Sequence, residues 1–576
     1  MKNSSQKFFL IFCFLAFLTA LFPFFVSADF VGQKMNFFID QNYDAFNRKE
    51  VEALLLKEGV RAYYYLEKDW WEKLSNQDQK DILSVLDNLS LEFDQKIYPT
   101  LTATFGSEWK PGIDGDNKIT ILFHSMKDEA GGYFNSGNEF SKRQNPESNE
   151  REMIHLNIKR ISHPLLKSYL AHELIHLITF NQKEKLRNVV EEVWLNEMRA
   201  ELAPTILGYD LVFENSNLNQ RVRNFIDRPF NSLTEWENKS FDYGIINLFG
   251  QYLLDHYGVE VLVDSLRSSK VGIPSLEEAL KKKNKDLTFE KVFFDWVIAV
   301  FVNDCSLGEF YCYRNPNLKN FRVAPQLNFL PSLGESLLTL TNVTKEWAGG
   351  WYKIVGGKDI LKVEFHGKTK TNFKVAYLTE DSEKKYTLRF LGLNNEQKGV
   401  FFVENFNVGI RSVTVLVATT GRKSNLETPQ PEHLFSFVIS TVEKVPLSEE
   451  EIKKQLLEKI ENLKKEIALL RQKIKSAWIK KLGPACVSFK NNLFLGSRGE
   501  EVKCLQAILK FEDSQIAPFL SIDGNFNQAT LGAVINFQEK YKEEILLPAG
   551  LQKGTGFVGP LTRKKLNEIL NFLVSS

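Results

Sequence analysis

"SYLAHELIHLITF", residues 168–180, sets His172 and His176 four positions apart, with Glu173 directly after the first. Residues i and i+4 lie on one face of a helix, so both imidazoles can turn toward one ion. Nitrogen donors suit the tetrahedral preference of zinc. Glu173, about one residue round the helix, reaches a water beside that ion without ligating the ion itself. A carboxylate so placed can take a proton from the water and return it to a leaving amine. The neighbours Ala171, Leu174, Ile175, Leu177 and Ile178 make the helix largely apolar. Imidazoles and a carboxylate buried there without a ligand would be costly.

Zinc needs a third protein ligand. A third histidine six residues on, after a glycine turn, would mark a metzincin, but Thr179 and Gln182 hold those positions. The following stretch "EEVWLNEMRAELA" (191–203) offers Glu191, Glu192, Glu197 and Glu201. Spacing leaves all four open. Glu197 and Glu201 share a helix face, which lets one bind metal while the other supports a histidine.

"LAHELIHLITFNQ" followed by "VWLNEMRAE" resembles the gluzincin metallopeptidases, most closely the hyicolysin-like and immune-inhibitor-like secreted families. The resemblance continues upstream through "PGIDGDNKITILF" and "AGGYFN" and downstream to "FDYGIINLFGQYLLDHYG", about residues 90–265. It implies one Zn2+ per chain on His172, His176 and Glu197, with Glu201 behind the ligands and Glu173 as general base and acid. Met198 stands where many relatives carry glycine. Tyr243 resembles the tyrosine that steadies the oxyanion in such enzymes, against the competing reading of a core tyrosine opening a helix. His256 is read as structural. "REMIHLNI" (151–158) reads either as the edge strand along which an extended peptide pairs or, equally well, as an ordinary strand. "DGDN" (114–117) lacks the spaced oxygens of a calcium loop and reads as a tight turn.

A chain of 576 residues is too long for one core and points to several domains. Lys2 and Lys7 precede the apolar run 8–26 and the small-x-small site Val26-Ser27-Ala28. That pattern predicts a signal peptide over 1–28, cleaved after Ala28, in preference to an N-terminal membrane anchor. An exported chain favours disulfides, and the cysteines beyond the leader fall into the local pairs Cys305 with Cys312 and Cys486 with Cys504. Net charge is +1, which argues against nucleic acid as a main partner.

Residues 29–328 read as an α+β, zincin-type metallopeptidase domain with strands early and helices late. Between 329 and 445, short β-branched and aromatic runs separated by turn residues predict a β-sandwich, with Trp347, Trp351 and Tyr352 expected to fill its core. Over 446–483, Leu456, Leu463 and Leu470 alternate with Ile460, Ile467 and Ile474 in heptads. The pattern predicts a coiled-coil-like helical spacer, either solitary or pairing weakly as a dimer through residues 452–477. Residues 484–576 hold three helical segments and resemble the small three-helix peptidoglycan-binding-like domain on Gly496, Gln506, Gly524, Phe526, Gln538 and Thr562. That resemblance implies peptidoglycan as a partner.

The combination points to an exported, cell-wall-associated zinc-dependent endopeptidase. Two alternatives stand beside it: a peptidase acting on peptidoglycan peptides, and a wall-binding scaffold or adhesin without catalysis.

Overall fold

The computed structural model describes residues 28–331, 336–421, 429–445, 449–482, 486–512 and 519–575. The predicted signal peptide lies outside them except for its last residue. The chain divides at Val445 into two compact units.

The first unit opens with a six-stranded mixed sheet. Its strands are β1 (Lys34–Phe38), β2 (Glu50–Glu58), β3 (Ala62–Glu67), β4 (Ile119–His124), β5 (Gly132–Phe134) and β6 (Met153–Asn157), in the order β1-β2-β3-β4-β6-β5. The central strands β3, β4 and β6 run parallel. All three are buried along their whole length, as parallel strands covered on both faces must be. Alternation divides their side chains. Tyr64, Leu66, Ile121 and Phe123 enter the main core with the helices, whereas Tyr63, Tyr65 and Leu122 join Phe37 and Leu55 in a smaller core on the opposite face.

Residues 151–158 take the ordinary of their two readings, with β6 paired on both sides. β5 pairs antiparallel outside β6, with Gly132 opposite Leu156, so "GYF" forms the edge. Gly132 makes this possible. A Cβ there would lie 2.7 Å from the His155 carbonyl oxygen and 3.1 Å from Cγ of Glu173.

Helices Asn76–Glu92 and Tyr98–Phe105 come between β3 and β4, so strands and helices are not fully separated along the chain. Further helices follow the sheet. The histidine helix (Leu166–Thr179) leads into the glutamate helix (Val193–Ile206), then Asn217–Asp227, Ser240–Tyr257 and the apolar Phe289–Val302. The strands between residues 326 and 442 form two antiparallel-rich sheets of four and five strands with a shared aromatic and aliphatic core. Tyr352 lies in that sandwich core, as expected. The two tryptophans do not. Trp347 and Trp351 pack into the helical core instead, and Trp351 Nε1 donates to the Val297 carbonyl at 2.9 Å. Strand side chains alternate between faces, so Trp351 and Tyr352 must point to opposite sides, and the outer one meets the helix Phe289–Val302. Cys305 and Cys312, just after that helix, are joined as a disulfide.

The second unit begins with a helix, Glu449–Leu482. Its seam residues, from Leu456 at 55 % to Ile460 at 47 %, are half exposed, so the heptad face is unpacked within the single chain. Helices Glu500–Glu512, Gln528–Lys540 and Pro560–Ser575 enclose a small core around Val502, Leu505, Phe537 and Leu566, and Cys504 is bonded to Cys486. This part repeats itself. Gln506 donates to Thr530 Oγ1 and accepts from the Gly524 amide; Gln538 donates to Thr562 Oγ1 and accepts from the Gly556 amide. No described helix is long and apolar enough to cross a membrane.

Candidate metal centre

The histidine and glutamate helices pack face to face in the main core through Leu174, Ile175, Ile178, Leu195, Met198 and Leu202. Behind them, Gly250 of the helix Ser240–Tyr257 admits Leu202, whose Cδ1 would lie 2.6 Å from a Cβ at that position. This packing points one polar stripe of each helix at the other.

Nε2 of His172 and Nε2 of His176 lie 3.1 Å apart. Glu197 Oε2 is 3.2 Å from His172 Nε2, and its Oε1 is 3.5 Å from His176 Nε2. The ligand atoms of these three residues all fall within 4.8 Å of one another. The outer nitrogens are held separately: Nδ1 of His172 sits 3.3 Å from Glu201 Oε1, and Nδ1 of His176 sits 3.2 Å from Asn196 Oδ1. A carboxylate and an amide oxygen only accept, so each Nδ1 carries its hydrogen and each Nε2 presents a lone pair. Two lone pairs and a carboxylate converging without a donor, with Glu197 Oε2 sealed and unpartnered, are the chemistry of a cation site. Two nitrogens and a carboxylate are a donor set that fits zinc.

The four candidate carboxylates take four different roles. Glu191 accepts from Arg199 at 2.8 Å and from the Gly272 amide at 2.7 Å inside a buried charge network with Lys183. Glu192 accepts from Trp194 Nε1 at 2.6 Å. Glu197 faces the histidines. Glu201 stands behind His172, held by Arg221 Nη2 at 2.8 Å and Asn217 Nδ2 at 3.0 Å. Burial opposes ionisation of Glu201, but Arg221 and His172 outweigh it and keep the carboxyl far below the usual range.

Glu173 is 5 % exposed and has no hydrogen-bond partner among the described residues. Burial raises its carboxyl to about 8, with His172 opposing and Glu197 and Glu201 reinforcing the shift. Tyr243 lies close enough to Glu197 and Glu201 that, after burial, their charges raise its phenol pKa. Its hydroxyl donates to Asn238 Oδ1 at 3.0 Å, and its ring carries the Arg221 guanidinium at 5.0 Å. His256 lies elsewhere, with Nε2 2.8 Å from the Cys312 carbonyl oxygen.

Two residues at this site carried no sequence signal. Arg221 sits on a separate helix, twenty residues beyond its partner Glu201. Tyr43 stacks on Tyr133 of β5 at 4.6 Å and lies within range of the charges of Glu173 and Glu197. Both positions are fixed by tertiary packing, not by spacing along the chain.

No family model and no curated protein matches the chain. Among solved structures, the M60 catalytic domain with its two CBM51 domains from Clostridium perfringens ZmpB aligns at TM-score 0.21 and 8 % identity, over 68 % of this chain and 60 % of that one. The pre-peptidase C-terminal domain of a Bacillus anthracis collagenase aligns at TM-score 0.15 and 7 % identity, over 20 % of this chain and 96 % of its own. The periplasmic inhibitor of g-type lysozyme PliG from Aeromonas hydrophila gives 0.14 and 10 %, over 20 % and 98 %. Likenesses this weak carry no argument, so the chemistry rests on the site itself.

Proposed function

We propose that the chain is an exported zinc-dependent endopeptidase. The observation that carries this reading is the convergence of His172, His176 and Glu197, with both outer imidazole nitrogens already engaged. Zinc held there supplies Lewis acidity toward a peptide carbonyl and makes water easier to deprotonate. Glu173, beside the triad, takes the proton from the attacking water and delivers it to the departing amine nitrogen. Glu201 and Asn196 keep the two imidazoles oriented through Nδ1. β5, the outermost strand next to Glu173, offers backbone groups along which an extended peptide can lie. Tyr243, by its resemblance to the tyrosine of such enzymes, takes the role of steadying negative charge on the carbonyl oxygen. The C-terminal helices, through their resemblance to peptidoglycan-binding-like domains, support association with the cell wall.

The test compares the protein with its Glu173→Gln variant on a denatured protein and on purified peptidoglycan, with products read by mass spectrometry. New peptides from the denatured protein, absent with a variant that still holds zinc, are the expected result. Release only of stem or bridge peptides would move the substrate to peptidoglycan. No cleavage of either by a zinc-loaded chain would leave the scaffold reading standing.

A further inference from the structure

Glu139 is 1 % exposed, and both of its carboxyl oxygens are sealed from solvent without a hydrogen-bond partner. Glu152, 3 % exposed, accepts from the Ile113 amide at 2.8 Å through Oε1 and leaves Oε2 equally sealed and unpartnered. The Arg151 amide donates to the Asn138 carbonyl at 3.1 Å, which sets Glu139 beside Glu152, so two ionised carboxyls there would oppose acceptor to acceptor. Buried carboxylates in that arrangement repel each other and each forfeits its hydration. Asp114 adds a third negative group nearby. Lys185, whose charge reaches Glu139, pairs with neither carboxylate; its Nζ sits 3.3 Å over the Trp109 ring.

The chain has made room for this pair. Gly112 has φ +88°, and a Cβ there would fall 2.0 Å from Cδ of Glu152. Only glycine lets the carboxyl rest against that loop. Three separate segments meet here: the loop 106–118, the turn Ser136–Glu139 after β5, and the residue preceding β6.

We propose that Glu139 and Glu152 hold a divalent cation of the calcium class between them. Carboxylate oxygens from separate segments are the ligands calcium takes, and its flexible shell accepts carbonyls and water for the rest. The "DGDN" turn remains a turn, because Asp114 Oδ1 is used by the Asp116 amide at 2.8 Å. Bound there, the ion ties the loop 106–118 to β6 and to the turn that ends β5. Asn181, just past the histidine helix, already grips that loop through the Ser107 carbonyl at 2.9 Å and the Glu108 carbonyl at 3.0 Å. The cation therefore braces the edge strand beside Glu173 without touching the zinc ligands. Burial first, then the neighbouring carboxylate, raises Glu139 well above the usual carboxylate range, so a shared proton is the rival occupant.

The test is the thermal unfolding midpoint of the desalted full chain at pH 7.5, with zinc fixed and CaCl2 titrated. It is repeated with Glu139→Gln and Glu152→Gln. The expected result is a saturable rise of about 3–5 °C in the parent chain at a hundredfold excess over Kd, lost in both variants. Terbium ions should then show emission sensitised through Trp109, displaced by calcium and lost in Trp109→Phe. Because it reads the parent fold, this measurement decides the matter even if a carboxylate variant fails to fold. A midpoint indifferent to CaCl2 up to about 10 mM, together with a Glu139→Gln variant stabilised at pH 7.5, would overturn the proposal in favour of a shared proton. A calcium response that survives in both variants, or terbium emission independent of Trp109, would place the ion elsewhere and overturn it too. None of these readouts depends on peptidase activity.

Discussion

Glu201 holds its Oε1 3.3 Å from Nδ1 of His172 while Arg221 and Asn217 grip the same carboxylate from behind. The chain Arg221–Glu201–His172 fixes which imidazole nitrogen turns toward His176 and Glu197. Replacing Glu201 with glutamine keeps the shape but removes the charge that favours Nδ1–H. Zinc affinity should fall about 10–100-fold with the fold retained, read by competition against a chelator. An unchanged affinity would show that Glu201 does not orient His172.

Under the proposed function, Tyr243 should separate catalysis from binding. Its ring lies against Arg221, and its hydroxyl bonds only to Asn238 among the described residues. Tyr243→Phe should keep full zinc content and fold while lowering kcat about a hundredfold, with KM little changed. A rise in KM at constant kcat would make Tyr243 a substrate-binding residue instead.

His155 should make stability depend on pH. It is fully buried on β6, stacked on Tyr133 at 4.3 Å, and burial reinforced by His124 holds its pKa well below the usual value. Below about pH 6.5 the unfolded chain binds a proton at this position that the folded chain refuses. Stability therefore falls as pH drops through that value. The contribution has a limit of about 1.4 kcal/mol per pH unit. His155→Phe, which preserves the stack, should flatten the dependence of the unfolding free energy on pH between 7 and 5. An identical slope in parent and variant would assign the effect to other groups.

Trp351 should couple the β-sandwich to the helical part. It is fully buried against the helix Phe289–Val302 and hydrogen-bonded to Val297. Trp351→Ala should cost about 3–5 kcal/mol and split one calorimetric transition into two. A single transition of unchanged midpoint would mean that the sandwich folds independently of this contact.

Much of the candidate site was legible because helical spacing is local information. His172, Glu173 and His176 share one helix, and the apolar residues between them announce its burial. Spacing could not choose among Glu191, Glu192, Glu197 and Glu201, since that choice depends on how the second helix rolls against the first. Leu202 seated on Gly250 contributes to that setting. Arg221 and Tyr43 were silent for the same reason. The true edge strand, β5, leaves no sequence signal because it is only three residues long, too short to show alternation. Aromatic content marks a buried face without naming what covers it, so it points Trp347 and Trp351 to the sandwich core when the helices cover them.

The central claim is that these residues bind zinc, and zinc titration of the metal-stripped chain tests it most directly. Calorimetry on the parent and on Glu197→Gln should show one tight site per chain in the parent and a weakening of at least tenfold in the variant. Zinc uptake well below one per chain in a folded parent, or an identical affinity in Glu197→Gln, would contradict it.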